Sequence, residues 1–328
     1  MPLQTADPLS RFRGRLSLPL IAAPMFLVSG VELVSAACAS GVIGAFPTVN
    51  CRSPEELDAW LTEIETRLRN RNAAPICPNL IVHRSNARLG EDLKVLLRHK
   101  PEIIITSVGS PAPVLKPLHE AGAIVLADVA TIRHAERAIE AGADGLVLLT
   151  AGAGGQTGWL NPFAFVRAVR RFFSGPIVLA GGVSDGQALR AAEVLGCDLA
   201  YMGTKFIATR ESMADERHKR MLVSSSADDV LLTTAFTGLQ TNMLKPSIVA
   251  AGLDPDDLPA RGAIDIGKDI DISAREARPK RWRDIWSAGH STSGVTDVPA
   301  AAELVARTIA EYRAAAPDTA SAIARPSV

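Results

Sequence analysis

One phrase recurs along this chain: an alanine-rich helical stretch, a glycine, then a short run dense in Val, Ile and Leu. It appears as AACASGVIGAF at residues 36–46, LHEAGAIVLAD at 118–128, IEAGADGLVLLT at 139–150 and AAEVLGCDLAYMG at 191–203. A glycine just past a helix end takes a left-handed conformation cheaply, and a run apolar on both faces is what a fully buried parallel strand requires. Each phrase therefore reads as a helix handing over to a strand. LPLIAAP (18–24), ICPNLIV (76–82), EIIITS (102–107) and PIVLAGG (176–182) bring the candidate strands to eight, the number that closes a (β/α)8 barrel. An open, doubly wound sheet is the competing arrangement. The short spacing between neighbouring strands leaves room for one helix each, and right-handed crossovers then favour a single closed parallel sheet.

The rhythm stops after Gly203. We expect an α/β protein in which residues 1–210 plus 280–315 form the TIM barrel. Residues 211–279 form an appended, mainly helical segment placed to cover the barrel mouth. Its polar-faced stretch gives way to a loop rich in Asp, Pro and Gly at 254–271. Ala300, Leu304, Val305, Ile309 and Tyr312 recur at helical spacing and predict a last helix over 300–315, with a frayed tail beyond Pro317.

Composition narrows the partners. Lys plus Arg and Asp plus Glu are 35 each, so no charge excess points to nucleic acid or an anionic membrane. No apolar run reaches the roughly 18 residues of a membrane span, and the first residues lack a signal-peptide core, so a cytoplasmic protein acting on a small molecule is expected. Cys38, Cys51, Cys77 and Cys197 stand singly, without metal-ligand spacing, and read as reduced structural thiols. No metal site is expected.

In such barrels the residues just after each strand build the active site. Here these are Ala22–Met25 after the first strand, Asn79 in the third, Asp128 at the end of the fifth, AGAGGQTG (151–158) after the sixth, AGGVSDG (180–186) after the seventh and Met202, Gly203, Thr204 and Lys205 after the eighth. Glycines at the seventh and eighth strands leave backbone N–H groups bare where a phosphate commonly binds. Gly181, Gly182 and Gly203 are thus candidate phosphate contacts, against the plainer reading that they only turn the chain. The glycine-rich loop after strand six costs conformational entropy unless something rests against it, and a flat cofactor edge would serve; a flexible lid is the alternative.

These segments, with Asn79-Leu80-Ile81, YMGTKFIATRE (201–211) and DIWSAG (284–289), resemble the nitronate monooxygenase family over most of the chain, in an arrangement shared with flavin-dependent enoyl-acyl-carrier-protein reductases. The resemblance implies FMN across the barrel mouth. Its ring would lie near Ala23, Pro24 and Met25, with Asn79 and Asp128 at the ring edge or ribityl chain and Gly154 and Gly155 nearby. Its phosphate would sit on Gly181, Gly182, Gly203 and Thr204, and the turn at 286–289 would close over it.

Members of the family usually carry a histidine after the paired glycines of the strand-six loop. This chain has Gln156. An amide hydrogen-bonds but takes no proton at working pH. Abstraction of a carbon-bound proton from a neutral nitroalkane should therefore slow by roughly 10²- to 10⁴-fold, whereas an alkyl nitronate arrives already ionised. His83, after strand three, and His290, after DIWSAG, are the candidate substitutes; His99, His119, His134 and His218 read as solvated surface residues. Asp128 either contacts FMN or caps the following helix, Ser184 and Asp185 read as caps of the helix after strand seven, and Lys205 and Arg210 as solvated charges. The apolar residues between Leu231 and Ile248 either cover the flavin or form a homodimer contact.

The expected function is FMN-dependent oxidation of alkyl nitronates with molecular oxygen. The alternatives are an NAD(P)H-dependent flavin reductase of enoyl thioesters or quinones, a non-catalytic flavin-binding protein, and a sugar-phosphate barrel without flavin.

Overall fold

The computed structural model describes residues 8–258 and 284–315. Eight parallel strands close a barrel: β1 (Leu20–Ala22), β2 (Ile43–Pro47), β3 (Ile76–Ile81), β4 (Ile103–Ser107), β5 (Ile124–Val129), β6 (Gly145–Leu149), β8 (Ile177–Ala180) and β9 (Leu199–Met202). β9 returns to β1 with Tyr201 opposite Ile21, and Ile21 in turn faces Ile43 of β2. All eight expected strands are present, and the open-sheet alternative is excluded by that closing pair.

The two-residue alternation of a strand divides the core in two. Ile21, Ile43, Ile105, Leu126, Val147 and Val178 point inward and fill the barrel. Leu20, Ala22, Leu146, Leu148, Leu179 and Met202 point outward and pack beneath the helices. The 3-10 helix Pro8–Arg15 places Leu9 and Phe12 in the inner cluster, with Phe12 wholly buried. Helix ends follow the repeated phrase: Gly142 and Gly196 close the helices Ile132–Ala141 and Gly186–Leu195 at φ of 100° and 112°, a conformation that would strain any residue bearing a side chain.

The last helix, Ala301–Ala314, buries Ala301, Leu304, Val305 and Thr308. It lies so close to the helix Gly186–Leu195 that a Cβ at Gly186 would stand 2.0 Å from the Tyr312 nitrogen. It packs with Gly186–Leu195 and Val31–Ala39, in the place of the eighth barrel helix. The residues between β9 and this helix are thus an insertion into the last βα unit.

Within the insertion lie the helices Glu216–Val223 and Lys245–Ala250. Between them runs a hairpin that the sequence reading omits, β10 (Val230–Thr233) with β11 (Thr241–Leu244). β11 also pairs with β7 (Gly155–Gln156), so the hairpin takes hold of the strand-six loop. Met243 and Ile248 are buried with Ile285, while Val249 is exposed. The expected loop at 254–271 lies mostly outside the described residues, as does the tail beyond Pro317.

Candidate active site

Ala23, Pro24, Met25, Asn79, Asp128, Gly154, Gly155, Gln156, Gly181, Gly182, Gly203 and Thr204 all line one cavity of about 240 Å³ at the C-terminal mouth of the barrel. They come from six separate strand ends, and the barrel is what collects them.

The first wall is clamped by a residue that sequence reasoning missed. Asn50 accepts from the Leu27 N–H at 2.9 Å and donates to the carbonyls of Met25 and Ser29 at 3.0 and 2.8 Å. These bonds hold Leu27 at φ 59° and fix the turn that presents Pro24 and Met25. Asn79 is held from the next wall, where Ser107 Oγ donates to its Oδ1 at 3.1 Å, leaving the amide NH₂ for a ligand.

Polar groups without partners face the same cavity. Asp128 Oδ1 and the Tyr201 hydroxyl are both enclosed, and neither has a hydrogen-bond partner among the described residues. Burial raises the Asp128 carboxyl to about 8, so it is largely protonated near neutral pH and can donate. Burial likewise pushes the Tyr201 hydroxyl well above its ordinary range. The capping alternative for Asp128 is overturned: Thr131 caps that helix, its Oγ1 accepting from the His134 N–H. The sequence signals Tyr201 only as part of a motif, because an aromatic in a buried strand is ordinary core until the barrel turns its hydroxyl inward.

The glycines divide by what demands them. Gly181, at φ 128°, would put a Cβ 2.5 Å from Thr150 Oγ1, whereas Gly182, at φ 76°, meets nothing within 4 Å and leaves its backbone bare. Gly203 tolerates a Cβ at ordinary contact distances of 3.5 Å or more. Thr204 Oγ1 accepts from the Gly289 N–H at 3.0 Å, keeping its own hydrogen to donate. Gly154 is required by chain packing, since its Cβ would stand 2.9 Å from the Gly289 nitrogen.

The strand-six loop is held by the chain itself and is not a free lid. Asn242 Nδ2 donates to the Ala153 carbonyl at 2.7 Å, the His290 N–H donates to the Gly152 carbonyl at 2.9 Å, and β7 is paired to β11. This scaffold fixes Gln156, half-buried, on the cavity wall.

The histidines fall differently from expectation. His83 bonds Ser85 Oγ through Nδ1 at 2.7 Å and lines a neighbouring groove rather than this cavity. His290 is exposed against Gly152. His218, expected at the surface, is 4% exposed and lines the cavity. It stacks on Trp286 with ring centroids 5.0 Å apart and has Nε2 3.3 Å from the Ser287 carbonyl. Burial lowers it to about 4, so it is neutral at working pH. The available signal was the spacing of His218 and Leu222 on one face of an otherwise charged helix. Among the others, His99 lies between Asp58 and Glu65 and His119 bonds Asp144.

Asp185 caps its helix through Ala188 N, as expected. Lys205 donates to the Gly294 carbonyl and Arg210 pairs with Glu303, so neither is simply solvated. All four cysteines are buried and free, with Cys38 and Cys197 pushed up to about 12 by burial.

A closed βα barrel with half-satisfied polar groups and bare glycine backbone gathered at its C-terminal mouth defines a small-molecule enzyme site. The sequence model of the nitronate monooxygenase family matches residues 13–311, and the chain belongs to that family of oxidoreductases. It is similar to a nitronate monooxygenase of Paraburkholderia phytofirmans, 29% identical across 88% of this chain and 90% of that one. A methyl-oxo-octahydroindene carboxyl-CoA dehydrogenase of Mycobacterium tuberculosis is 26% identical across 75% of this chain and 68% of its own. Among solved structures, a nitroalkane oxidase from Streptomyces ansochromogenes superposes with a TM-score of 0.80 at 23% identity, covering 94% and 99% of the two chains. No described helix is long and apolar enough to cross a membrane.

Proposed function

We propose that this protein is an FMN-dependent oxidoreductase that oxidises alkyl nitronates with molecular oxygen in the cytoplasm. The observation that carries the reading is that every residue the family resemblance assigns to FMN lines one cavity, where Asp128 Oδ1 and the Tyr201 hydroxyl have no partner among the described residues. Buried polar groups without partners are costly in a protein that works alone, and a flavin supplies what they lack. The neutral Asp128 carboxyl, the Tyr201 hydroxyl and the Asn79 amide offer donors for the carbonyls and ring nitrogens of the flavin. Gly182, Gly203 and Thr204 offer N–H and O–H groups for its phosphate.

FMN, when bound, supplies a two-electron acceptor that oxygen can reoxidise. The chain's own part is binding, orientation and proton placement. The Gln156 NH₂ donates to the nitro oxygens of the nitronate and fixes it, while taking no proton. Val28, Ile207 and Trp286 supply apolar wall that limits water. His218 is held neutral and accepts or donates a hydrogen bond without adding charge. The segment from 211 onward contributes His218 and Thr237 to the outer wall, and we assign it the role of cover.

The second reading, a flavin enzyme acting on thioesters or quinones with NAD(P)H, is favoured by one observation: a relative of similar identity is named as a CoA-linked dehydrogenase. Anaerobic mixing of the flavin-loaded protein with an alkyl nitronate and, separately, with NADH and NADPH tests the choice. Rapid bleaching by nitronate alone is the expected result. Bleaching by a nicotinamide alone refutes the nitronate reading.

A further inference from the structure

A second, wider groove of about 1060 Å³ adjoins the cavity and shares Val108, Asp128, Leu149 and Gln156 with it. An alkyl nitronate of a few carbons fills only the inner cavity, so the nitronate reading leaves the groove unexplained.

Its lining combines basic side chains with a large aromatic one. Arg133, His134 and Arg137, on the helix Ile132–Ala141, line it together with Trp159, which is 72% exposed. Among the described lining residues the only acid is Asp128, at the inner end. Arg133 and Arg137 are exposed and have no ion-pair partner among the described residues, while arginines such as Arg67, Arg88, Arg170 and Arg307 are paired. In a chain of zero net charge this is a local excess of positive charge beside a large exposed aromatic. The boundary between cavity and groove is itself unusual. Val108 sits at φ 56°, a left-handed conformation that a β-branched residue adopts only under constraint, and such strain gathers at ligand sites.

We propose that the groove binds the adenosine-diphosphate end of a coenzyme A thioester whose acyl end reaches the cavity at Gln156. The phosphates would pair with the guanidinium groups of Arg133 and Arg137, the adenine would stack on Trp159, and the thioester carbonyl would accept from the Gln156 NH₂. The apolar lining between these ends suits the linear pantetheine arm. The proposal rests on the flavin seat described above, and it names the substrate class of the second reading.

The test is isothermal titration of the flavin-loaded full chain with butanoyl-CoA and with NADPH. The wild type is compared with Trp159→Ala and the double variant Arg133→Ala/Arg137→Ala. Butanoyl-CoA is expected to bind, with affinity falling as salt rises, roughly tenfold more weakly in Trp159→Ala and thirtyfold or more in the double variant. Flavin absorbance should be unchanged, because these exposed side chains lie outside the inner cavity. No binding by the wild type, equal binding by all three proteins, or NADPH binding that alone depends on these residues overturns the proposal. The two readings fail separately. A wild type that reduces its flavin with nitronate yet ignores butanoyl-CoA loses only the groove; one that binds butanoyl-CoA through these residues but is inert to nitronate loses only the nitronate assignment.

Discussion

Replacing Asp128 by asparagine should stabilise the flavin-free protein, and more so as pH rises. The native carboxyl titrates at about 8 against an ordinary value near 3.8. Between those values the unfolded chain binds fewer protons at this site than the native state does, so stability falls with increasing pH and levels off above 8. At pH 7 the full shift corresponds to about 4 kcal/mol of lost stability. Asp128 is half-buried and opens on the cavity, where water relieves part of the penalty, so about 2 kcal/mol is the working expectation. Asparagine keeps the shape and cannot ionise. Urea unfolding of both proteins without flavin at pH 5, 7 and 9 would read the effect: the gap between the two proteins should be smallest at pH 5 and widen towards pH 8, above which it levels off. Parallel pH profiles would show that the carboxyl is not raised, and would remove the argument that a neutral Asp128 awaits a ligand. In the holoprotein the same substitution should weaken FMN retention, because the amide presents its donor in a different geometry from the acid.

His218 carries the opposite pH dependence. Its native value of about 4 lies below the ordinary 6.5, so the stability it contributes is complete above 6.5 and is lost as pH falls through 4. His218→Gln should flatten the acid limb of the stability curve, and ring resonances that titrate near 6.5 in the wild type would contradict the burial argument. Gln156→His should raise turnover of neutral nitroalkanes by roughly 10²-fold or more while leaving nitronate turnover within a few-fold; steady-state assays with both substrate forms read this, and equal gains for both would contradict the assignment. Gly181→Ala should abolish tight flavin binding, because its Cβ would collide with Thr150 at 2.5 Å in a left-handed backbone. Gly182→Ala has open space and should cost only about 1 kcal/mol of folding stability while weakening phosphate contact, which flavin release on dilution would measure. Asn242→Ala removes the bond to the Ala153 carbonyl and should loosen the strand-six loop, seen as faster amide exchange at residues 152–156 with little change in global unfolding.

The barrel was legible in the sequence because its causes are local. A helix, a glycine that must turn left-handed, and a run apolar on both faces each follow from a few neighbouring residues, and repeated they admit almost one closure. The glycine clusters after the seventh and eighth strands could be placed by the same logic, since a strand's C-terminal end is known once the strand is. His218, Tyr201, Asn50 and the β10–β11 hairpin were not legible, because what matters in each is set by contacts distant in sequence. His218 looks like one more polar residue on a charged helix until Trp286 and Ser287, 68 and 69 positions on, bury it and strip its solvation. Asp128 shows the limit within a single residue. The sequence determined that an acid ends the fifth strand, but only the closed barrel, which encloses Oδ1 without a partner among the described residues, decided that this acid keeps its proton.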